Sequence, residues 1–294
     1  MSGTHAKNEP PSKKLWIVLI LTAGYMILEA VGGILSNSLA LLADAGHMLS
    51  DVAALSISLF AFVMASRPPD EKASFGYHRA EVLAAFFNGL VLLLVSFFII
   101  KEAIERLFNP TEVEPTLMLV VAFGGLFINI TGLFILHRDK SKNLNVRGAW
   151  LHVVSDALGS VGCVISGFLI YFLGWRSADA WASIIIAGLV CYSAIKLILE
   201  TMRVLMEQTP AHIKPDEITK EILKIPQVLM MHDLHIWSIT TGKEALSAHV
   251  VVEKDAIYDV VLQNIQRKLE DKFGIDHVTI QLENECQVKN KTCH

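Results

Sequence analysis

Six apolar stretches long enough to cross a bilayer, at residues 15–36, 38–65, 80–107, 115–137, 147–173 and 178–202, fill the chain as far as Met202. Runs of this length satisfy their backbone polar groups internally by forming helices, so the chain reads as an integral membrane protein embedded in a lipid bilayer. Composition agrees. Of its 294 residues 53% are hydrophobic and 18% charged, and the mean hydropathy is +0.47, whereas a soluble domain carries about 25% charged residues. The start, MSGTHAKNEPPSKK, is polar and contains proline, and the apolar stretch after Leu15 shows no small-residue cleavage site, so the first helix is expected to stay in the mature protein. The four cysteines are scattered and suggest no disulfide framework. The net charge of −4, without a basic block, points away from nucleic acid as a partner.

The short loops orient the chain. The N-terminal tail, the 2–3 loop and the 4–5 loop together carry ten Lys and Arg residues, against Lys101, Arg106 and Arg176 on the other side. Positive charge stays inside, so both termini are expected in the cytoplasm. After Glu207 charges return and apolar runs shorten. Three parts follow: a cytoplasmic tail at 1–14, a transmembrane domain at 15–207 and a cytoplasmic domain at 208–294. In the last part, 214–225 and 258–273 have helical spacing, whereas 228–240, 244–253 and 276–283 read as strands, giving the order αββαβ with helices on one face of a sheet.

Charged and polar residues inside the apolar stretches are costly and therefore suspects for function. The second stretch contains Asp44, His47 and Asp51, whose spacing puts them on one stripe of a helix; the fifth repeats the His-to-Asp offset of four residues in His152 and Asp156. Two imidazoles and two carboxylates make a complete tetrahedral set of the kind that suits Zn²⁺. Asp44 reads first as an acceptor that orients His47, with a proton carrier or a helix cap as alternatives. Glu29, Asn88 and Asn129 read as partners in hydrogen bonds between helices. In the tail, His232, His235, His249, Glu283 and Cys286 gather on or just beyond the expected strands and suggest a metal-sensing or dimer-bridging site; His277, Cys293 and His294 add donors.

The two HxxxD pairs, with SLALLADAGHMLSD (38–51), FGYHRAEVLAA (75–85), LNVRGAWLHVVSDALGSVG (144–162) and HDLHIW (232–237), resemble the cation diffusion facilitator family, closest to its bacterial zinc-exporting branch. The resemblance covers nearly the whole chain. It implies an α-helical membrane protein of six transmembrane helices with a C-terminal α+β, ferredoxin-like cytoplasmic domain. It further implies a homodimer in a bacterial inner membrane that exports Zn²⁺ in exchange for protons, with Co²⁺ and Cd²⁺ as further candidates. Carried over by position, the transport site is His47, Asp51, His152 and Asp156. The cytoplasmic site uses His232, His249 and Glu283, with Gln281 where some members have a ligand. A site in the 2–3 loop falls on Asp70, Ala73 and Tyr77, of which Asp70 ligates well, with His78 next to Tyr77. Arg79 and Glu207 resemble a charged pair that holds the helix bundle together. Transport of this kind needs no ATP, and no GxxxxGK[ST] loop is present.

Three rivals carry less. A membrane metalloenzyme lacks an HExxH motif, a haem carrier would use His47 and His152 as axial ligands, and a zinc sensor without transport would share the cytoplasmic cluster.

Overall fold

The computed structural model describes residues 13–65, 70–137, 144–240 and 242–285; the side chains of 13–19, 55, 58–59, 61–65, 132, 134–137 and 144–155 lie outside that description. The chain forms two compact units. One comprises residues 1–63 and 84–198, the other 64–83 and 199–294.

The first unit is built from long helices: α1 (Lys13–Ser36), α2 (Leu39–Ala65), α3 (Arg79–Phe108), α4 (Pro115–His137), α5 (Leu144–Leu173) and α6 (Ala178–Leu205), of which α2, α3 and α6 continue into the second. Among the described residues, three segments are long and apolar enough to cross a membrane: Arg79–Phe108, Asp156–Leu173 and Ala178–Leu205. Shorter apolar segments are Ile20–Ser36 and Pro115–Thr131. The interior is made largely of small residues, among them Ala40, Ala43, Ala122, Cys163 and Ala187, around Leu41 and Met118. Large apolar side chains such as Phe87, Leu94, Phe97, Ile185 and Leu189 point outwards. Small residues between helices and bulky ones on the outside are what a bundle packed in lipid requires, because lipid does not drive large side chains inwards.

The second unit contains α7 (Pro215–Ile222), β1 (Val228–Thr240), β2 (Lys243–Val252), α8 (Tyr258–Phe273) and β3 (His277–Glu283). The element order is the αββαβ expected. β1 pairs antiparallel with β2 across a tight turn, and α8 then carries the chain over so that β3 lies parallel to β2. Ile218 and Ile222 of α7 and Val261, Ile265 and Leu269 of α8 pack with Leu246, Val250 and Val252 of β2 into one core. The spacing of four between Val261, Ile265 and Leu269 gives α8 its buried stripe.

Candidate metal centre

Two helices of the first unit bring three of the expected ligands together. One ligand atom from each of His47 and Asp51 on α2 and Asp156 on α5 lies within 4.8 Å of the others. His47 Nε2 is 3.2 Å from Asp156 Oδ1. Asp51 and Asp156 are buried and His47 is half-buried. His152 stands on α5 one turn before Asp156; its side chain lies outside the description.

Asp44, one turn before His47, is buried and engaged from α5 as well. Ser160 Oγ of α5 donates to Asp44 Oδ2 at 3.2 Å, and Asn129 Nδ2 of α4 donates to Ser160 Oγ at 3.2 Å. Asn129 thus makes the interhelical bond expected of it. A cavity of about 500 Å³ is lined by Asp44, His47, Gly159, Gly162, Trp181 and, in the α5–α6 connection, Trp175.

The position of α2 is fixed by a residue that the sequence did not single out. Asp179, in the first turn of α6 and buried, accepts Ser38 Oγ at 2.6 Å, Leu39 N at 2.8 Å and Ala40 N at 3.2 Å. A carboxylate from α6 therefore caps the amides that open α2. The corner before it closes through Asn37 in the left-handed region, at φ 54°, with Ser38 N donating to Gly33 O and Asn37 N to Ile34 O. Arg106 of α3 clamps that corner through Asn37 O at 2.7 Å and Asn37 Oδ1 at 3.0 Å.

The second unit gathers His232, His249 and Glu283, again with one ligand atom each within 4.8 Å. His232 and His249 face each other across β1 and β2, with ring centroids 5.2 Å apart. Gln281 is the partner of His249 on β3, and Glu283, two residues on, shares its face. His249 Nδ1 donates to Glu283 Oε1 at 2.7 Å, and Gln281 Nε2 donates to the same oxygen at 2.9 Å. His232 Nε2 and Glu283 Oε2 are buried, face each other at 3.4 Å and lack a well-formed hydrogen bond. Two nitrogens and a carboxylate with orphaned lone pairs form a donor set that fits a borderline divalent cation. Burial pushes the Glu283 carboxyl up, but the hydrogen bond from His249 and the nearness of both imidazoles outweigh it and hold the group below the ordinary glutamate range.

A bulge in β1 between His232 and His235 puts an extra residue in that strand, with Asp233 at φ 53°. It turns His235 onto the face of His249 but leaves it exposed, 3.2 Å from Asp233 Oδ1. Asp233 Oδ2 is in turn 3.8 Å from His249 Nε2, so this aspartate is a further donor at the rim that the sequence did not suggest. Cys286 lies outside the described residues.

In the 2–3 loop, Asp70 and His78 are not brought together. Asp70 accepts Tyr77 OH at 2.8 Å and the amides of Lys72 and Ala73. The Tyr77 hydroxyl, with the Ala73 and Lys72 amides, holds the Asp70 carboxyl below the usual range. His78 sits 3.1 Å from Lys243 Nζ; desolvation and that ammonium push its imidazole down. Arg79 Nη2 meets Glu207 Oε1 at 2.7 Å. Glu207, at φ 55°, is the left-handed residue that ends α6, through Gln208 N to Arg203 O and Glu207 N to Val204 O.

Comparison with known proteins matches the chain to two family models. The cation efflux transmembrane domain matches residues 15–206, and the cytoplasmic domain of cation efflux proteins matches 210–285. A cadmium, cobalt and zinc/H⁺-K⁺ antiporter of Bacillus subtilis is 47% identical over 96% of this chain and 92% of its own length. The zinc transporter ZitB of Escherichia coli is 40% identical over 96% of this chain and 90% of its own. Among solved structures, the metal-bound C-terminal domain of the CzcD transporter of Cupriavidus metallidurans is 44% identical, over 24% of this chain and 99% of its own, with a TM-score of 0.24.

Proposed function

The chain belongs to the cation efflux family, and from that premise we propose that it exports divalent metal cations, zinc foremost, from the cytoplasm in exchange for protons. It is a multi-pass membrane transporter and not an enzyme; cobalt and cadmium belong to the same substrate class. The observation that carries this function is the convergence of His47, Asp51 and Asp156 inside the helical unit.

In this reading all six long helices span the membrane, with the transport domain at 15–207. Both termini and the domain at 208–294 face the cytoplasm. Two copies pair as a homodimer, and the Arg79–Glu207 contact braces the helix ends. His47, Asp51, Asp156 and His152 hold the transported ion through two nitrogens and two oxygens, with Asp44 behind His47. The contact between His47 and Asp156 supports a simple means of release. A proton on His47 makes that contact a charge-assisted hydrogen bond, so protonation competes with zinc for two ligands at once. Histidine suits this because its unperturbed pKa of about 6.5 lies close to ambient pH. Alternating access then exposes one site first to the cytoplasm and next to the far side, where protons displace the ion.

The cytoplasmic cluster would hold a resident zinc ion through His232, His249 and Glu283, with His235 and Cys286 as further donors. Such an ion would tie β1, β2 and β3 together and make the fold of that domain sensitive to cytoplasmic zinc.

Zinc uptake into sealed vesicles holding the full-length protein, driven by a pH gradient, tests the transport site. Asp51→Ala should abolish zinc-dependent proton flux while the protein still inserts and folds; normal flux in that variant would overturn the assignment.

A further inference from the structure

Glu29 is the buried acid for which transport through His47, Asp51, His152 and Asp156 has no use. It lies on α1, seven residues before the end at Ser36, and is 0% exposed. The sequence suggested a hydrogen bond between helices, as for Asn129. The structure gives something different. Neither carboxyl oxygen of Glu29 has a hydrogen-bond donor among the described residues. Within its reach is the carboxyl of Asp44 on α2, itself buried and itself an acceptor.

Two ionised carboxylates held together inside a helix bundle repel one another. One proton between them converts the repulsion into a short, charge-assisted hydrogen bond. The surroundings favour a proton over a larger ion. A Cβ at Gly125 of α4 would come within 3.0 Å of Glu29 Oε1, and one at Gly159 of α5 within 2.5 Å of Asp44 Oδ1. These glycines let two helices close onto the carboxyls, and a coordinated cation would need the helices to part.

We propose that Glu29 and Asp44 share a proton, and that this pair is a proton-binding site of the antiporter, separate from the metal ligands. The inference rests on the proton-exchange reading above and adds a second place where protons bind. Asp44 precedes His47 by about 4.5 Å and Asp51 by about 10 Å along α2, towards the α1–α2 corner. With the N-terminus in the cytoplasm, that is the outward side. Asp44 and His47 also share the cavity that reaches Trp175. A proton arriving from outside therefore meets the pair before it meets the ion. Among the described residues the titratable groups around the pair are Tyr25 one turn from Glu29 on α1, whose hydroxyl is taken up by Val121 O, His47 on α2 beside Asp44, and Asp156 and Cys163 from α5. From α4 it meets Gly125.

Infrared difference spectroscopy on the full-length protein in lipid, titrated with acid and base, tests the pair without any transport. A protonated-carboxyl band that is lost in Glu29→Gln, while zinc still binds with unchanged stoichiometry, is the expected result. The glutamine mimics the protonated acid in shape and charge, so the fold should survive; Glu29→Asp, which keeps the acid, should restore a band. In vesicles, Glu29→Gln should move one fewer proton per zinc than wild type. The same band in wild type and variant, an unchanged proton-to-zinc ratio, or a band abolished by potassium at constant pH would each overturn the proposal, the last in favour of a cation site. Loss of all zinc-driven proton flux in wild type would instead refute the transport reading and leave the infrared result standing.

Discussion

Replacing Asp179 with alanine should unfasten the start of α2, the helix that carries His47 and Asp51. The carboxylate is 1% exposed and accepts three hydrogen bonds, from Ser38 Oγ and from the amides of Leu39 and Ala40. Ser38 Oγ still accepts Leu41 N at 3.2 Å, so part of the cap survives the change. The amides of Leu39 and Ala40 lose their acceptor, and a buried donor left unpaired costs about 1–3 kcal/mol. Allowing for relaxation, the loss is about 2–4 kcal/mol, or roughly 30- to 700-fold in the local opening equilibrium at 1.4 kcal/mol per factor of ten. Asp179→Asn keeps one oxygen for Ser38 and Ala40 but turns an amide towards Leu39 N, so its loss should be about 1–2 kcal/mol. Hydrogen exchange of peptides covering 38–44 in the solubilised full-length protein reads this directly. Faster exchange there, graded from asparagine to alanine and accompanied by weaker zinc binding, is the expected result. Unchanged protection in Asp179→Ala would refute the idea that α6 holds the first turn of α2.

Two further outcomes concern the second unit. Glu221 of α7 is held at about 2 instead of 4.5 by hydrogen bonds from Lys224 and from Lys272 of α8. Its folded pKa is lowered, so its contribution is complete above about pH 4.5 and is lost as pH falls towards 2; Glu221→Gln should flatten the acid sensitivity of exchange in α7 and α8 across that window, and an unchanged pH profile would count against the pairing. At the proposed resident site, zinc at a hundred times its dissociation constant should protect β1, β2 and β3 by about 2.7 kcal/mol in wild type. His249→Ala should remove that protection and leave zinc transport through the helices measurable, whereas equal protection in both proteins would exclude His249 as a ligand.

How much of this was legible in the sequence depends on how local each arrangement is. The His47–Asp51 spacing is local, fixed by the helix repeat, and its second copy at His152 and Asp156 told which helices had to meet. The order αββαβ was legible from alternation and helical period, and a helix between β2 and β3 makes their parallel pairing natural. What the sequence could not give is set by distant partners. Asp179 at the head of α6 looks like a cap for its own helix; only the fold turns its oxygens to Ser38, Leu39 and Ala40. Glu29 and Asn129 look alike as single polar residues in apolar runs, yet Asn129 finds Ser160 and Glu29 finds another acid. His235 would fall on the opposite face from His232 in a regular strand, and the bulge at Asp233 reverses that. Glu207 at a left-handed position carries no sequence signal, because glycine or asparagine would be the usual residue there.

The arrangement along α2 bears on how protons and metal could be coupled. From the α1–α2 corner inwards the helix presents its cap from α6, then Asp44 against Glu29 of α1 and Ser160 of α5, then His47 against Asp156 of α5, then Asp51. The contacts come from α6, α1 and α5, but all sit on one rigid element. A tilt of α2 that drew His47 away from Asp156 would also change the distance from Asp44 to Glu29. Removing the proton from the Glu29–Asp44 pair restores the repulsion of two buried carboxylates and drives α2 away from α1. Binding a proton draws the two together. Metal and proton would then bias the same two-position helix, which is the physical requirement for coupling two sites. It follows that Glu29→Gln, fixed in the protonated likeness, should hold α2 in one of its positions, and the capping bonds of Asp179 supply the fixed end about which the helix would turn.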